Sequence, residues 1–295
     1  MAGFILSCCT TADLDMSHYV RRDIHYLCFH FLIDGKSYLD DPSDPDLLSR
    51  FYQSIRNGAL PTTAQVNIEE FLQFFEPLAR EGNDILHISF SSGLSGSYNS
   101  ATIAARQVME KYPDRKIIVV DSVSASSGYG LLMDYIADKR DTGATIEETA
   151  AYAEELKLHI HHWFFSTDLS SYIRGGRVSK TAGFVGQVLG ICPLLHMDTP
   201  GHLIPREKVR TKRKVKQTIV ERMLQHAENG ADYDGKCYIS HSDCLDDAKD
   251  VAALVESTFP SLKGKVELYS IGTTIGSHTG IGTVALFFKG DLRKD

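Results

Sequence analysis

Short apolar runs alternate with amphipathic stretches along almost the whole chain, and this alternation constrains the fold more than any other feature. Residues 4–6, 24–31, 85–90 and 117–120 are apolar runs of strand length, while residues 45–55, 68–78 and 95–109 carry apolar side chains at helical spacing. Strands alternating with helices predict an α/β architecture with a largely parallel sheet. Turn formers separate the segments at Asn57-Gly58, Glu81-Gly82-Asn83 and Pro113-Asp114. The rhythm breaks at 124–140 and 145–161, two helical stretches in succession joined by Asp141-Thr142-Gly143. A second α/β stretch follows, with strands near Phe164-Phe165 and at 194–197, 238–241, 266–271 and 284–288, and helices at 209–229 and 245–259. The expected organisation is an N-terminal α/β domain, residues 1–160, and a C-terminal α/β domain, residues 161–295.

Composition narrows the function. The 295 residues include 31 Lys plus Arg against 38 Asp plus Glu, a formal net charge of −7. Such a chain is repelled by a phosphate backbone, so nucleic acid is not an expected partner. No apolar run is long enough to cross a bilayer, so stable membrane insertion is not expected, and the start lacks the basic segment of a signal peptide. The six cysteines form no CxxC pair, which favours free thiols in a reducing cytoplasm over zinc binding. The sequence therefore predicts a cytoplasmic protein without metal or cofactor.

Three segments could carry chemistry. In Ser91-Ser92-Gly93-Leu94-Ser95-Gly96-Ser97-Tyr98 a strand gives way to hydroxyls, two glycines and a helix start with Ser95 near the cap. Backbone N–H groups and hydroxyls at such a place suit an anion, although a capped helix accounts for the same residues. Gly93-Leu94-Ser95-Gly96 also resembles the beginning of a GxSxG nucleophile elbow, with Ser97 in place of the last glycine. On that alternative Ser95 serves a serine hydrolase, with Asp243 and His278 as candidate partners. Thr62-Thr63-Ala64-Gln65, just before a helix, offers hydroxyls and an amide. The stretch 272–282, between two expected strands, holds four glycines and His278, and allows close backbone approach. Basic residues punctuate the acidic chain at Arg174 and Arg177, flanking Gly175-Gly176, and in the run from Arg206 to Lys216 that contains Arg210, Lys212 and Arg213. Both read as solvated surface or as docking patches.

Taken together, these segments resemble the DegV family, bacterial fatty-acid-binding proteins whose pattern runs DSTADL, PxTSQP, SSxLSGTY, VDS, GGRVS and HTGPG. The matching residues are Thr10 to Leu14, Thr63-Ala64-Gln65, Ser91 to Tyr98, Val120-Asp121-Ser122, Gly175 to Ser179 and His278 to Gly282, in the same order end to end. The resemblance implies two α/β domains with a long-chain fatty acid in the cleft between them. It also implies that Thr63, Ser95 and His278 hold the carboxylate, with Thr62, Ser92, Gly96 and Thr279 as further candidate contacts. Some members present the acyl group to a separate ATP-dependent kinase subunit that makes an acyl phosphate, so the binding protein is itself not an enzyme. Arg174, Arg177, Arg210, Lys212 and Arg213 would then be candidates for docking that subunit. A regulatory module for another small acid, without a kinase, is the remaining alternative. Cys9, Ala64 and Ile281 depart from the family's Asp, Ser and Pro. The first two departures are expected to alter the polar end of the site, and the third only the stiffness of its loop.

Overall fold

The computed structural model describes residues 3–179 and 190–294. Strand β1 (Phe4–Cys9) pairs in parallel with β2 (Ile24–Leu27), and the short helix α1 (Met16–Arg21) connects them. Strands β3 (His30–Ile33), β4 (Lys36–Leu39) and β5 (Thr62–Ala64) form a small antiparallel sheet in the order β4-β3-β5. Helices α2 (Leu47–Arg56) and α3 (Ile68–Arg80) flank β5 in the chain. Strands β6 (Asp84–Ser89) and β7 (Ile117–Asp121), joined by α4 (Ser97–Lys111), complete a four-stranded parallel sheet of order β2-β1-β6-β7.

The expected single strand over 24–31 is thus two strands in two sheets. Residues up to Leu27 follow β1, and the chain then turns off into a hairpin closed by Asp34 and Gly35, both at positive φ. An Asp-Gly pair supplies the backbone geometry that a tight hairpin demands.

Helices α5 (Ser126–Asp141) and α6 (Ile146–Leu156) follow in succession, with Gly143 at φ +85 between them and a reciprocal capping box of Thr145 and Glu148 opening the second. Twelve of the sixteen residues of α5 are buried. A Cβ at Gly128 would lie 2.5 Å from the His162 ring and from Phe287, and one at Gly130 would lie 2.6 Å from Leu14. Glycine is what lets this helix lie against both halves of the molecule at once.

The second sheet contains β8 (Ile160–Ser166), β9 (Ile191–Met197), β10 (Leu203–Arg210), β11 (Cys237–His241), β12 (Val266–Ser270) and β13 (Thr283–Lys289). Helix α7 (Ser170–Arg174) follows β8, α8 (Lys212–His226) follows β10, α9 (Leu245–Thr258) joins β11 to β12, and α10 (Thr273–Thr279) joins β12 to β13. The strand order is β10-β9-β8-β13-β11-β12, and only β11 and β12 run parallel. The expectation of a largely parallel sheet therefore holds for the first sheet and fails for the second. Apolar runs report burial on both faces but not strand direction, which is set by how each connection returns.

Two other expectations shift. The helix expected from residue 209 begins at Lys212, because residues 203–210 pair with β9 and Thr211, at φ +71, ends the strand and caps the helix through Lys214 N–H. The glycine-rich stretch 272–282, expected as a loop, contains α10. One continuous core runs from β1 and β6 through α5 to Phe164, Leu195, Tyr238 and Phe287 of the second sheet, and a second core fills the space under α8 and α9. All six cysteines are free thiols.

Candidate functional site

Four of the six sequence motifs contribute residues to one cavity. It has a volume of about 540 Å³ and is walled by Thr63 and Gln65 around β5, by Leu94, Ser95 and Gly96 before α4, by Tyr172 and Arg177 at α7, by Leu203, and by Ile275, His278 and Thr279 of α10. That volume lies in the usual range for a small-molecule site. Five of its lining residues, Ala125, Tyr172, Leu203, Ile275 and Thr279, also line a smaller apolar recess of about 50 Å³ that reaches Phe164, Met197, Ala285 and Phe287. Polar groups thus stand at one end and hydrocarbon at the other.

Helix α10 is positioned from behind. The buried Asp40 carboxylate accepts from Thr273 N–H (3.1 Å), Thr273 Oγ1 (2.6 Å) and Thr274 N–H (3.4 Å), which ties down the first turn. Gly276 sits so close to Phe51 and Tyr52 that a Cβ there would lie 2.8 Å from each, and Tyr52 donates to the Ile271 carbonyl at 2.8 Å. The helix is therefore seated on α2, with His278 facing the cavity.

His278 Nε2 lies 2.7 Å from Thr63 Oγ1, whereas Nδ1 is buried with no hydrogen-bond partner. An orphaned acceptor costs less than an orphaned N–H, so the proton belongs on Nε2. Desolvation by burial, reinforced by Arg177 and Arg174, pushes the His278 pKa down to about 4, so the ring is neutral at pH 7. With Nε2–H donated to Thr63, the threonine hydroxyl proton is free to point at a ligand. Gly175 makes this possible, since a Cβ there would lie 2.2 Å from His278 Nδ1. Gly96 plays the same part opposite Gln65, whose Oε1 would be 2.5 Å from a Cβ.

Ser95 lines the cavity, and its Oγ accepts from Ser97 N–H at 3.2 Å, just before α4, which starts two residues later than the expected range. Gly96 and Thr279 also line the cavity; Thr62 and Ser92 are exposed and do not. The hydrolase partners are not assembled: Asp243 pairs with Arg56, and His278 bonds Thr63 rather than Ser95. Arg177, expected as a docking residue, turns inward instead, donating to the carbonyls of Leu94 and Gly175, and burial lowers its pKa. Arg174 is exposed.

The basic run is split between β10 and α8, with Lys212 ion-paired to Asp247 at 2.8 Å. Arg210 stands seven residues along β10 from cavity-lining Leu203, roughly 20 Å at a strand's rise, whereas Arg206 at the start of the run is only three residues from it. Gln65 escaped the sequence reading as a site residue although its motif had been singled out, and the apolar walls carried no motif at all. Of the departures, Cys9 Sγ lies 3.8 Å from buried His87, outside the cavity, Ala64 is exposed, and Ile281 packs beside the Phe31, Phe51 and Tyr52 cluster. Two of these departures were expected to alter the polar end, and neither side chain reaches it.

A family model for DegV proteins of uncharacterised function matches residues 10–291. A DegV domain-containing protein of Clostridium perfringens is 36% identical over 294 residues, covering 100% of both chains. The crystal structure of a DegV lipid-binding protein from Thermotoga maritima superposes with a TM-score of 0.82 at 28% identity, covering 99% of each chain. That of a fatty-acid-binding DegV family protein from Streptococcus agalactiae gives a TM-score of 0.84 at 25% identity, covering 99% of this chain and 100% of the other. The chain belongs to the DegV family.

Proposed function

We propose that this protein binds a long-chain fatty acid, with the carboxylate at Thr63, Ser95 and His278 and the tail running toward Phe164, Met197 and Phe287. The observation that carries this reading is the cavity's polarity: hydroxyls and a neutral imidazole at one end, an apolar recess at the other. Burying a tail of fourteen to eighteen carbons contributes about 10 kcal/mol before ordering costs, at ~0.8 kcal/mol per methylene. The carboxylate then needs only a few charge-assisted hydrogen bonds, which the Thr63 and Ser95 hydroxyls supply. The lipid and fatty acid that the Thermotoga and Streptococcus structures are described as binding support the same reading.

The protein itself performs no chemistry on this proposal. It presents the carboxylate to an ATP-dependent kinase subunit in the cytoplasm, which transfers a phosphoryl group to a carboxylate oxygen and leaves an acyl phosphate. Arg174, Arg210, Lys212 and Arg213 are the proposed docking cations. No described helix is long and apolar enough to cross a membrane.

Native mass spectrometry of the protein purified from a bacterial host tests the binding. A co-purifying long-chain fatty acid is expected. Thr63→Ala with Ser95→Ala should weaken retention by about 1 to 3 kcal/mol for each hydrogen bond lost. A double variant that holds lipid as tightly as the parent would refute the placement, and ester turnover that depends on Ser95 would favour the hydrolase instead.

A further inference from the structure

His161 on β8, His226 at the end of α8 and Asp291 just after β13 meet in a cluster that does not line the cavity. His161 Nε2 lies 3.0 Å from the Asp291 carbonyl oxygen and 3.1 Å from Asp291 Oδ1, and His226 Nδ1 lies 3.2 Å from the same Oδ1. One ligand atom from each residue falls within 4.8 Å of the other two. The backbone is built for this approach: Asp291 N–H donates to the His226 carbonyl at 2.9 Å, and a Cβ on Gly290 would lie 2.2 Å from that same carbonyl oxygen.

The hydrogen-bond chain behind His161 fixes its proton. His196 Nδ1 lies 2.7 Å from the Met197 carbonyl, which can only accept, so His196 carries its proton there and offers a lone pair at Nε2. His161 Nδ1, 3.2 Å from that lone pair, must be the donor. The neutral ring then has no proton left for Nε2, whose lone pair faces two oxygens at 3.0 and 3.1 Å. His161 Nε2 is buried while the Asp291 carboxylate is half exposed, and a cation reaching the cluster from the solvent side would relieve the approach of that lone pair to the two oxygens. A proton added at His161 Nε2 would satisfy His161 and Asp291, with neutral His226 donating Nδ1–H to the same carboxylate, so a shared proton and a metal ion are the two alternatives that the experiment separates.

We propose that His161 Nε2, His226 Nδ1 and Asp291 Oδ1 form a divalent transition-metal site, with zinc the best match to its donors. Two imidazoles and one carboxylate are a common zinc donor set, with a water in the fourth, solvent-facing position to complete it. Bonds of about 2.0 to 2.1 Å at tetrahedral angles hold ligand atoms about 3.3 Å apart, close to the 3.1 and 3.2 Å found on two edges. The rings of His161 and His226 stack at 5.1 Å with 22° between their planes, so the more exposed His226 turns about its side-chain bonds to bring its lone pair onto the ion. The His161–His196–Met197 chain is the outer support that orients a metal-binding histidine and raises its basicity. Cysteine spacing says nothing about such a site, because its three ligands come from β8, the end of α8 and the residues after β13.

The test uses the full chain stripped of metal by chelator dialysis. Zinc is titrated against a chromophoric competitor, and cobalt is added separately to record its visible bands. One equivalent of zinc is expected to bind, and the cobalt spectrum should lack the thiolate charge-transfer band that cysteine ligation would give. His226→Ala and Asp291→Ala, both at solvent-accessible positions, should each weaken zinc at least tenfold while leaving the metal-free melting temperature unchanged. Zinc should raise the melting temperature of the parent and not of either variant. Absence of stoichiometric binding, which would leave a shared proton as the cation, overturns the proposal. So does zinc binding that survives in both variants. Fatty acid retention is measured in parallel, and its outcome bears only on the cavity.

Discussion

Gly175→Ala separates the binding site from the fold. Gly175 has φ −74 and ψ −7, an ordinary helical conformation, so alanine strains no backbone there, and its unfolded-state gain of about 0.4 to 1 kcal/mol offsets part of the cost of the side-chain clash. The new Cβ would nevertheless lie 2.2 Å from His278 Nδ1, more than 1 Å inside van der Waals contact. The ring is held between that glycine and Thr63 Oγ1, and its 2.7 Å hydrogen bond to the hydroxyl has no room to shorten. The imidazole must therefore swing away, and Thr63 loses the donor that frees its proton for a carboxylate. One neutral hydrogen bond is worth about 1 kcal/mol, so the fatty acid dissociation constant should rise about fivefold, and further if Thr63 turns. Displacement of a fluorescent fatty acid analogue measures this, with thermal melts alongside. A variant that melts like the parent and binds with unchanged affinity would show that His278 does not act through Thr63.

Three other perturbations follow from the same geometry. Asp40→Ala removes the acceptor for Thr273 and Thr274 at the start of α10 and should destabilise the protein by about 1.5 to 3 kcal/mol, read by urea unfolding; unchanged stability would mean that the helix is held by packing on α2 alone. Burial pushes the His87 pKa down to about 3, so the unfolded chain binds its proton below about pH 6.5 while the folded one does not. Stability from this group is complete above pH 6.5 and should fall by about 1.4 kcal/mol per unit as the pH drops toward 3, a slope that His87→Gln should flatten in pH-dependent melts. Reversing Arg210, Lys212 and Arg213 to Glu should slow acyl phosphate formation by an added kinase at low salt and leave lipid binding intact; unchanged kinetics would make the run ordinary solvated surface.

The sequence by itself determined the class of fold and singled out the polar residues that the fold brings to one cavity. Alternating apolar runs located most strands and helices, because strand and helix spacing follow from local geometry. Thr63, Ser95 and His278 were legible because they sit in short motifs rich in hydroxyls and glycine. What the sequence could not decide was anything set by chain return. The second sheet is mostly antiparallel, residues 24–31 divide between two sheets, and the stretch around His278 is a helix seated by Asp40 from 233 residues away. The glycines show the same division. Their clustering was visible, but that Gly175 leaves room for an imidazole and Gly128 for a ring of the second sheet depends on which surfaces meet. The apolar recess and the His161, His226 and Asp291 cluster had no motif, since their members come from distant elements and touch only once α5 and the second sheet are packed. A spacing along the chain records a local rule, whereas a site assembled from several elements records the tertiary packing.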